Sequence, residues 1–381
     1  MDISIAESAG KMKQEIHRKK NRGMPVRGAA WGLAIALTGC GAAPIRQQTS
    51  VDTAMGTIVS QTLYVQETEW PASEEDWEEL PESPCASVMG ILKELEEQEL
   101  SWRIDGSEVA RINALADQGE AGEDLSPGQG EQGIFASLSA AMGETLARIW
   151  QVSMDSGGAL DVTLGRLSRL WNLDGTDFSR IPEEGQVRDA LKDTGFGRVQ
   201  FPENGISLPP GMQLDLGAVG KGIACDRVRA YLNSRPQITG AVVAVGGSVV
   251  TYGQKPDGSP WKVAIVHPRE EGNYLGVLSL TGEQFVSTSG DYERYVTVDG
   301  VRYHHILDPA TGYPARSGLC SVTIVCGSGL LADALSTACF VLGSEQGLDL
   351  AKSYGAEALL VEEDGTLRMT EGMREIFSAQ E

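Results

Sequence analysis

Residues 286–314 read VSTSGDYERYVTVDGVRYHHILDPATGYP and contain both the strand pattern and the polar groups that dominate this chain. Residues 285–287 and 295–298 are β-branched or aromatic runs that predict short strands. Pairs of turn residues, Asp308-Pro309 and Thr311-Gly312, end the stretch. Short strands separated by tight turns are therefore one component of the fold.

Helical patterns supply the other component. Apolar residues recur at helical spacing in 86–99 and 135–156, and a helix rich in small residues is predicted at 330–342. Further strands are predicted at 54–64, 213–216, 240–245, 261–266, 274–280 and 321–325, and a last hairpin at 358–361 and 367–369. Acidic residues fill 66–84, and a Gly-rich loop fills 118–132. We find no repeat or domain boundary between 50 and 381, which predicts one α+β domain.

The composition argues against a nucleic-acid partner and against a zinc site. The chain has 381 residues, 41% of them hydrophobic, and a net charge of -22. Such acidity argues against a nucleic-acid partner, because phosphate contacts need clustered Lys and Arg. The six cysteines include no CxxC pair, which argues against a zinc site. A disulfide between Cys320 and Cys326 would need a sharp local bend, and we do not expect it.

The amino terminus has the pattern of a processing signal. Seven Lys and Arg residues precede an apolar stretch at 29–37, which is too short to span a bilayer. The sequence Leu37-Thr38-Gly39-Cys40 then resembles a bacterial lipobox. We predict a lipoprotein signal peptide at 1–39, lipidated Cys40 with a tether at 40–50, and the folded domain at 51–381. The predicted location is the extracytoplasmic face of the cytoplasmic membrane, with a lipid anchor. The alternative is a buried cysteine that ends an apolar helix.

A Gly-rich turn follows the predicted strand at 213–216. Residues 214–222 read LDLGAVGKG, in which a helix start and Lys221 favour an anion. The spacing matches neither a Walker A loop nor a dinucleotide-binding fingerprint. The alternative is a tight strand-to-helix turn without a ligand.

The opening stretch carries two further groups of polar residues. Three hydroxyls at 287–289 and Arg294 can bind phosphate, or form a polar turn between strands. His304 and His305 would face opposite ways on a strand, so at most one points into a site. A histidine near Asp308 suits a general base, and the alternative is a structural histidine.

A carboxylate and a hydroxyl lie one turn apart on the predicted helix at 330–342. Asp333 and Thr337 share a helix face, and oxygen ligands of this kind suit Mg²⁺. Asp333 near the helix start can instead be a capping charge.

In this order, these elements resemble the ApbE family of FAD:protein FMN transferases. The resemblance extends from Ala54 to about Met373. It includes five further motifs, Met55-Gly56-Thr57, Ser107–Asn113, Gly158–Thr163, Gly246-Gly247 and Asp257–Trp261. The resemblance implies a single α+β domain, related to the T-fold, of mixed and largely antiparallel sheets with packed helices.

The resemblance also implies a reaction and a set of site residues. FMN would move from FAD to a threonine of an exported redox protein with Mg²⁺, and AMP would leave. The magnesium ligands would be the Ala218 carbonyl, Asp333 and Thr337, and the base would be His305. The implied contacts to FAD are Met55, Trp102, Ala159, Leu160, Asp161, Asp215, Lys221, Ser289 and Ile306.

Two other functions fit the same residues. One is an FAD pyrophosphatase that uses water and yields free FMN and AMP. The other is a flavin-binding lipoprotein without catalysis, which would need neither a base nor a metal.

Overall fold

The computed structural model describes residues 44–66, 83–118, 133–173 and 181–380. Its helices are α1 (Pro84–Leu95), α2 (Glu108–Gln118), α3 (Ala140–Asp155), α4 (Gly165–Trp171), α5 (Glu184–Leu191), α6 (Gly220–Asn233), α7 (Gly329–Leu342), α8 (Ser344–Ser353) and α9 (Glu371–Ile376). A π-helical turn, Glu96–Leu100, continues α1. The strands are β1 (Ile45–Ala54), β2 (Thr57–Gln66), β3 (Ile134–Ser137), β4 (Gly205–Leu208), β5 (Ile238–Val245), β6 (Ser248–Gly253), β7 (Trp261–Val266), β8 (Tyr274–Leu280), β9 (Gln284–Gly290), β10 (Tyr295–Val298), β11 (Val301–His304), β12 (Leu319–Cys326), β13 (Glu357–Glu362), β14 (Leu367–Met369) and β15 (Phe377–Ala379).

An eight-stranded sheet organises the domain. Its strand order is β1-β2-β5-β6-β9-β12-β13-β14, and each of these neighbours pairs antiparallel. Strands β6 and β9 lie at its centre, where both edges are paired. The predicted α+β class with largely antiparallel sheets is confirmed.

The two faces of this sheet are covered differently. Alternate residues of a strand point to opposite faces, so Phe285 packs in the main core and Val286 packs in a second core. The main core also holds the apolar faces of α1, α6 and α7. The second core contains Trp261 and Leu278 from the small sheet β15-β8-β7. The sheet is thus a middle layer between helices and a smaller sheet.

Several predicted elements shift in the structure. Residues 45–50, predicted as tether, belong to β1 and pair with β2, so the tether prediction is too long at this end. Residues 213–216 form no regular strand, since only Gln213 makes an isolated bridge to Leu164. The predicted helix at 135–156 begins instead with β3 and becomes helical at Ala140. Cys40, most of the acidic stretch and most of the Gly-rich loop lie outside the described residues.

Helices α6 and α7 cross with backbone against backbone. A Cβ built on Gly222 would lie 2.1 Å from the Gly329 carbonyl oxygen and 2.7 Å from Asp333 Cβ. Only a residue without a side chain permits this approach. The crossing brings the start of α6 against the first turns of α7, where the candidate metal ligands lie.

The crossing gives a stability prediction. Gly222→Ala should lower the free energy of unfolding by about 3 kcal/mol or more, because the helices must separate in a packed core. Gly143→Ala in α3 is the matched control, since its Cβ meets nothing within 4 Å. That control should stabilise by about 0.5–1 kcal/mol through helix propensity. Urea denaturation of both variants tests the crossing, and equal stabilities would contradict it.

Candidate active site

Asp333 is the most enclosed acidic group of the site, with 2% of its surface exposed. Its Oδ1 accepts a hydrogen bond from Ser287 Oγ at 2.7 Å and a longer one from Ser248 Oγ at 3.4 Å. Its Oδ2 accepts from the Gly222 N–H at 2.9 Å, and Lys221 Nζ lies 3.7 Å away. Three separate elements, β6, β9 and α6, therefore orient one buried carboxylate.

A second set of oxygens lies one helical turn further along α7. Thr337 Oγ1 is 3.5 Å from the Ala218 carbonyl oxygen and 3.3 Å from Ser289 Oγ. Ser289 Oγ also contacts Ser336 Oγ at 2.8 Å. The predicted metal residues, Ala218, Asp333 and Thr337, are thus brought together between α7 and the turn that precedes α6.

The donor chemistry of this set fits a hard divalent cation. Magnesium prefers oxygen ligands in octahedral geometry, whose adjacent ligands lie about 3 Å apart. The Ala218–Thr337 oxygen separation needs only a small closure to reach that value. Within the described residues no group of three or more His, Cys, Asp or Glu side chains could hold a metal. A cation here would therefore depend on one carboxylate, a carbonyl and a hydroxyl, with further ligands from substrate or water.

Strand β9 divides its three hydroxyls between its two faces. Ser287 and Ser289 point to α7, whereas Thr288 Oγ1 contacts Thr323 Oγ1 at 2.9 Å on the other face. Residues 287–289, for which a polar turn was the alternative to phosphate binding, thus lie in a strand. Two of its hydroxyls line the site.

The two histidines face different environments, as their adjacency predicted. His304 ends β11, is 2% exposed and contacts the Ala315 carbonyl through Nε2 at 2.9 Å. Its ring packs edge-on against Phe340, and burial lowers its pKa. His304 is the structural histidine of the pair. His305 follows the strand and turns toward the cationic side of the site.

Positive groups surround His305. Desolvation by the enclosing chain, and then the charges of Arg294 and Lys221, lower the pKa of His305 to about 3. Its Nδ1 lies 3.3 Å from the Arg294 carbonyl oxygen. A carbonyl only accepts, so Nδ1 carries the proton and Nε2 keeps a lone pair. His305 is therefore neutral at pH 7 and able to accept a proton through Nε2.

This environment predicts the pH dependence. The pH dependence of kcat/KM reports ionisations of the enzyme without substrate. In that state His305 stays deprotonated above about pH 3, so kcat/KM should not fall between pH 8 and pH 5 through protonation of His305. Substrate phosphates would offset the two cations, so the acid limb of kcat should lie at a higher pH than that of kcat/KM. Steady-state pH profiles test this. A kcat/KM limb near the unperturbed histidine value that disappears in His305→Ala would contradict it.

The hairpin turn between β1 and β2 closes one side of the site. Met55 and Gly56 have φ values of +52° and +66°, as a two-residue type I′ turn requires. The Met55 N–H donates to Glu96 Oε2 at 2.6 Å, which ties the turn to the π-helical segment. A Cβ on Gly56 would lie 3.9 Å from Arg294 Nη2. Met55, a predicted flavin contact, is thus near the Arg294 side chain.

The predicted flavin residues near 159–161 and Asp215 lie on two adjacent segments. The Asp215 N–H donates to the Val162 carbonyl at 2.8 Å. Buried Asn113 fixes the second segment, because its side chain bonds both the N–H and the carbonyl of Leu214. Ala159 and Asp215 keep part of their surface exposed, whereas Leu160 is buried in the main core. Leu160, a predicted flavin contact, therefore has almost no exposed surface.

The Asp161 carboxylate is used in hydrogen bonds to its own loop and to a neighbouring segment. It accepts from the Thr163 N–H at 2.7 Å, the Thr163 hydroxyl at 2.5 Å and the Phe196 N–H at 3.2 Å. Burial raises the pKa of Asp161, and these hydrogen bonds oppose the rise. The carboxylate thus holds residues 161–163 against the segment that begins at Phe196.

Trp102 is covered by two cations. The guanidinium carbons of Arg103 and Arg169 lie 3.8 and 4.6 Å from its ring centroid. A flavin ring that stacks on a face of Trp102 covered by an arginine must displace that arginine. Trp102 Nε1 is buried without a partner among the described residues, so a donor remains available. Ile306, also predicted at the flavin, is 6% exposed and belongs to the main core.

Sequence reasoning missed several residues that hold this site together. Ser248 and Glu96 bond groups that are distant in sequence, so their pairing had no local signal. Asp226 is the clearest case, because it accepts from the Gly329 and Leu330 N–H groups at 2.9 Å each. It caps α7 from α6 and so fixes the two ligand-bearing helices. Its position one turn after Gly222, on the helix that follows the Gly-rich turn, was the available hint.

Comparison with known proteins gives the family. The ApbE family profile matches residues 55–360. The chain is 33% identical over 314 residues to the FAD:protein FMN transferase of Treponema pallidum, covering 76% of this chain and 82% of that relative. It is 31% identical over 296 residues to the enzyme of the same name in Vibrio cholerae serotype O1, covering 76% and 80%. The chain belongs to the ApbE family.

Solved structures support the same assignment. The apo crystal structure of the Pseudomonas stutzeri flavinyl transferase ApbE matches with a TM-score of 0.71 and 31% identity, covering 88% of this chain and 98% of that chain. The ApbE protein of Thermotoga maritima matches with a TM-score of 0.71 and 30% identity, covering 88% and 100%. The resemblance and the fold class predicted from sequence are confirmed.

Proposed function

We propose that this enzyme transfers FMN from FAD to a threonine hydroxyl of an exported acceptor protein, with Mg²⁺ and with release of AMP. At the coarser level the chain is a flavin transferase, since relatives of that name match it over about four fifths of their own length. The threonine, the magnesium and the export of the acceptor are the proposed details.

One observation carries the proposal. Buried Asp333 lies one helical turn before Thr337, which is 3.5 Å from the Ala218 carbonyl oxygen. Lys221 lies 3.7 Å from Asp333, and its charge, with that of Arg294, lowers the pKa of His305. Oxygen ligands suit a cation, and adjacent cationic side chains suit phosphate oxygens. A site for a metal-bound pyrophosphate combines these two features. The protein as a whole carries a net charge of -22, so these positive groups are a local exception.

The residues present have distinct roles in the proposed reaction. Lys221 and Arg294 would bind the pyrophosphate and offset its charge. His305 Nε2 would accept the proton of the threonine hydroxyl as its oxygen attacks the phosphorus on the FMN side. The bond from that phosphorus to the oxygen of the AMP phosphate breaks, and AMP leaves with the electron pair. Mg²⁺, held by Ala218, Asp333 and Thr337, would supply charge stabilisation for the pyrophosphate and the leaving phosphate.

One experiment distinguishes the proposed reaction from its alternatives. The mature protein is incubated with FAD, Mg²⁺ and an acceptor domain that has an exposed threonine, and the acceptor mass is measured. We expect covalent FMN on the acceptor and one AMP for each FMN transferred. An acceptor with that threonine changed to valine is the control. Free FMN and AMP without a labelled acceptor would indicate the pyrophosphatase, and intact FAD would indicate a flavin-binding protein.

We further propose that lipid on Cys40 anchors the enzyme to the extracytoplasmic membrane surface. The basic leader, apolar stretch and lipobox support this proposal. Within the ranges that the structure covers, no helix is long and apolar enough to cross a membrane.

The anchor has a direct test. Cys40→Ser should move most of the protein from the membrane fraction to the soluble fraction, because the lipid attachment atom is lost. Cys85→Ser is a control of the same chemistry away from the lipobox. Membrane association of Cys40→Ser equal to that of the unchanged protein would overturn the anchor.

A further inference from the structure

Lys221 lies at one of the two oxygens of Asp333, Oδ2. Asp333 Oδ1 accepts a hydrogen bond from the Ser287 hydroxyl at 2.7 Å. Oδ2 accepts from the Gly222 N–H at 2.9 Å and lies 3.7 Å from the Lys221 ammonium. Asp333 is buried, and Lys221 keeps 28% of its side-chain surface exposed. A buried carboxylate without a counter-charge is costly, so Lys221 stabilises the charged Asp333 in the protein without ligands.

The same side chain lies on the segment that supplies a candidate metal ligand. Lys221 follows Ala218 by three residues, at the start of α6. A divalent cation held by Asp333 and the Ala218 carbonyl would therefore meet the Lys221 charge at short range. Like charges at such separation in a partly buried site repel strongly. The flexible lysine stem and its exposed face allow the ammonium to move away.

We infer that Lys221 occupies the cation position of Asp333 until flavin substrate binds, so that the divalent metal binds tightly only together with the pyrophosphate. This inference rests on the proposed function, because it takes the same oxygens as metal ligands. The pyrophosphate attracts the ammonium and neutralises both cations. Binding of metal and of nucleotide then favour one another by the same factor. The protein without FAD keeps its metal site closed by an internal ion pair.

The test measures metal binding rather than activity. Free Mn²⁺ is followed by electron paramagnetic resonance during titration of the purified protein, without FAD and then with FAD but without acceptor. Chromatography checks that FAD remains intact. The variants are Lys221→Gln, Lys221→Met and Lys221→Arg. Lys262→Gln is the matched control, because this exposed lysine of β7 bonds Ser279 and has the same charge.

Loss of the Lys221 charge should raise the Mn²⁺ affinity of the protein without FAD and reduce the gain in affinity that FAD produces. Without FAD, Lys221→Gln should bind Mn²⁺ at least tenfold more tightly than the unchanged protein, and Lys262→Gln should change little. With FAD, the unchanged protein should gain at least tenfold in Mn²⁺ affinity, and Lys221→Gln should gain much less. Lys221→Arg keeps the charge and should resemble the unchanged protein. Lys221→Met gives the same comparison if the glutamine variant does not fold.

Other outcomes separate this inference from the proposed function. If the charge-removing Lys221 variants bind Mn²⁺ no more tightly than Lys262→Gln, the inference is wrong while the metal site stands. Equal gains in Lys221→Gln and Lys262→Gln would show a general effect of net charge and also overturn it. If the unchanged protein binds no Mn²⁺ even with FAD, the metal site fails, and the inference fails with it.

Discussion

Asp333→Asn is expected to lower the rate of FMN transfer by about 10³-fold at saturating FAD. The asparagine has the same shape and keeps an oxygen for the Ser287 hydroxyl, but it has no charge to hold a cation. Its amide nitrogen would also meet the Gly222 N–H, which now donates to Oδ2 at 2.9 Å. Loss of metal charge stabilisation on the pyrophosphate and the leaving phosphate, worth several kcal/mol, accounts for the size of the effect.

The measurement is the initial rate of acceptor labelling as a function of Mg²⁺ concentration. Asp349→Asn in α8 is the matched control, because its side chain is 82% exposed and the charge change is identical. It should leave the rate unchanged. Thermal unfolding of both variants separates loss of metal from loss of fold. A rate within threefold of the unchanged enzyme would remove Asp333 from the metal site.

His305→Ala is expected to lower transfer by about 10²–10⁴-fold while FAD stays bound. The imidazole supplies the proton acceptor for a weak nucleophile, whereas Lys221 and Arg294 remain to hold the phosphates. Added imidazole should restore part of the rate, since the cavity left by the ring is at the partly exposed edge of the site. Flavin binding is measured by fluorescence, and labelling by mass.

The neighbouring histidine provides the contrast. His304→Ala removes the contact with the Ala315 carbonyl and the ring packing on Phe340, so it should reduce stability. The remaining folded protein should keep most of its rate, apart from any displacement of His305. If His304→Ala stopped chemistry in a fully folded protein and His305→Ala did not, the assignment of the base would be reversed.

Much of the fold follows from local patterns. The predicted strands at 240–245, 261–266, 274–280 and 321–325 are confirmed, because each is an apolar run with residues that suit a packed strand. The final hairpin is confirmed for the same reason, with Gly365 at its turn. The sequence indicated no strand at 45–50, because this edge strand is polar and gains its structure by pairing with β2.

The failures share a cause in tertiary contacts. Residues 213–216 look like a strand, but Asn113 and Val162 satisfy the backbone groups of Leu214 and Asp215 in place of a sheet. Residues 287–289 were interpreted as phosphate-binding hydroxyls or a polar turn, but they form part of a strand, since all three pair with β12 and Ser287 also pairs with β6. In each case a neighbour that is distant in sequence decided the conformation.

By itself the sequence determined the family, the α+β class, the candidate base and the oxygen donors on α7. Those features depend on residue identity and short spacing, such as one helical turn between Asp333 and Thr337. Only the tertiary structure decided which oxygen of Asp333 faces Lys221, which hydroxyls of β9 reach α7, and which histidine meets Arg294. These depend on where α6, α7 and the central sheet cross. That crossing is set by the contact between Gly222 and Gly329, more than one hundred residues apart.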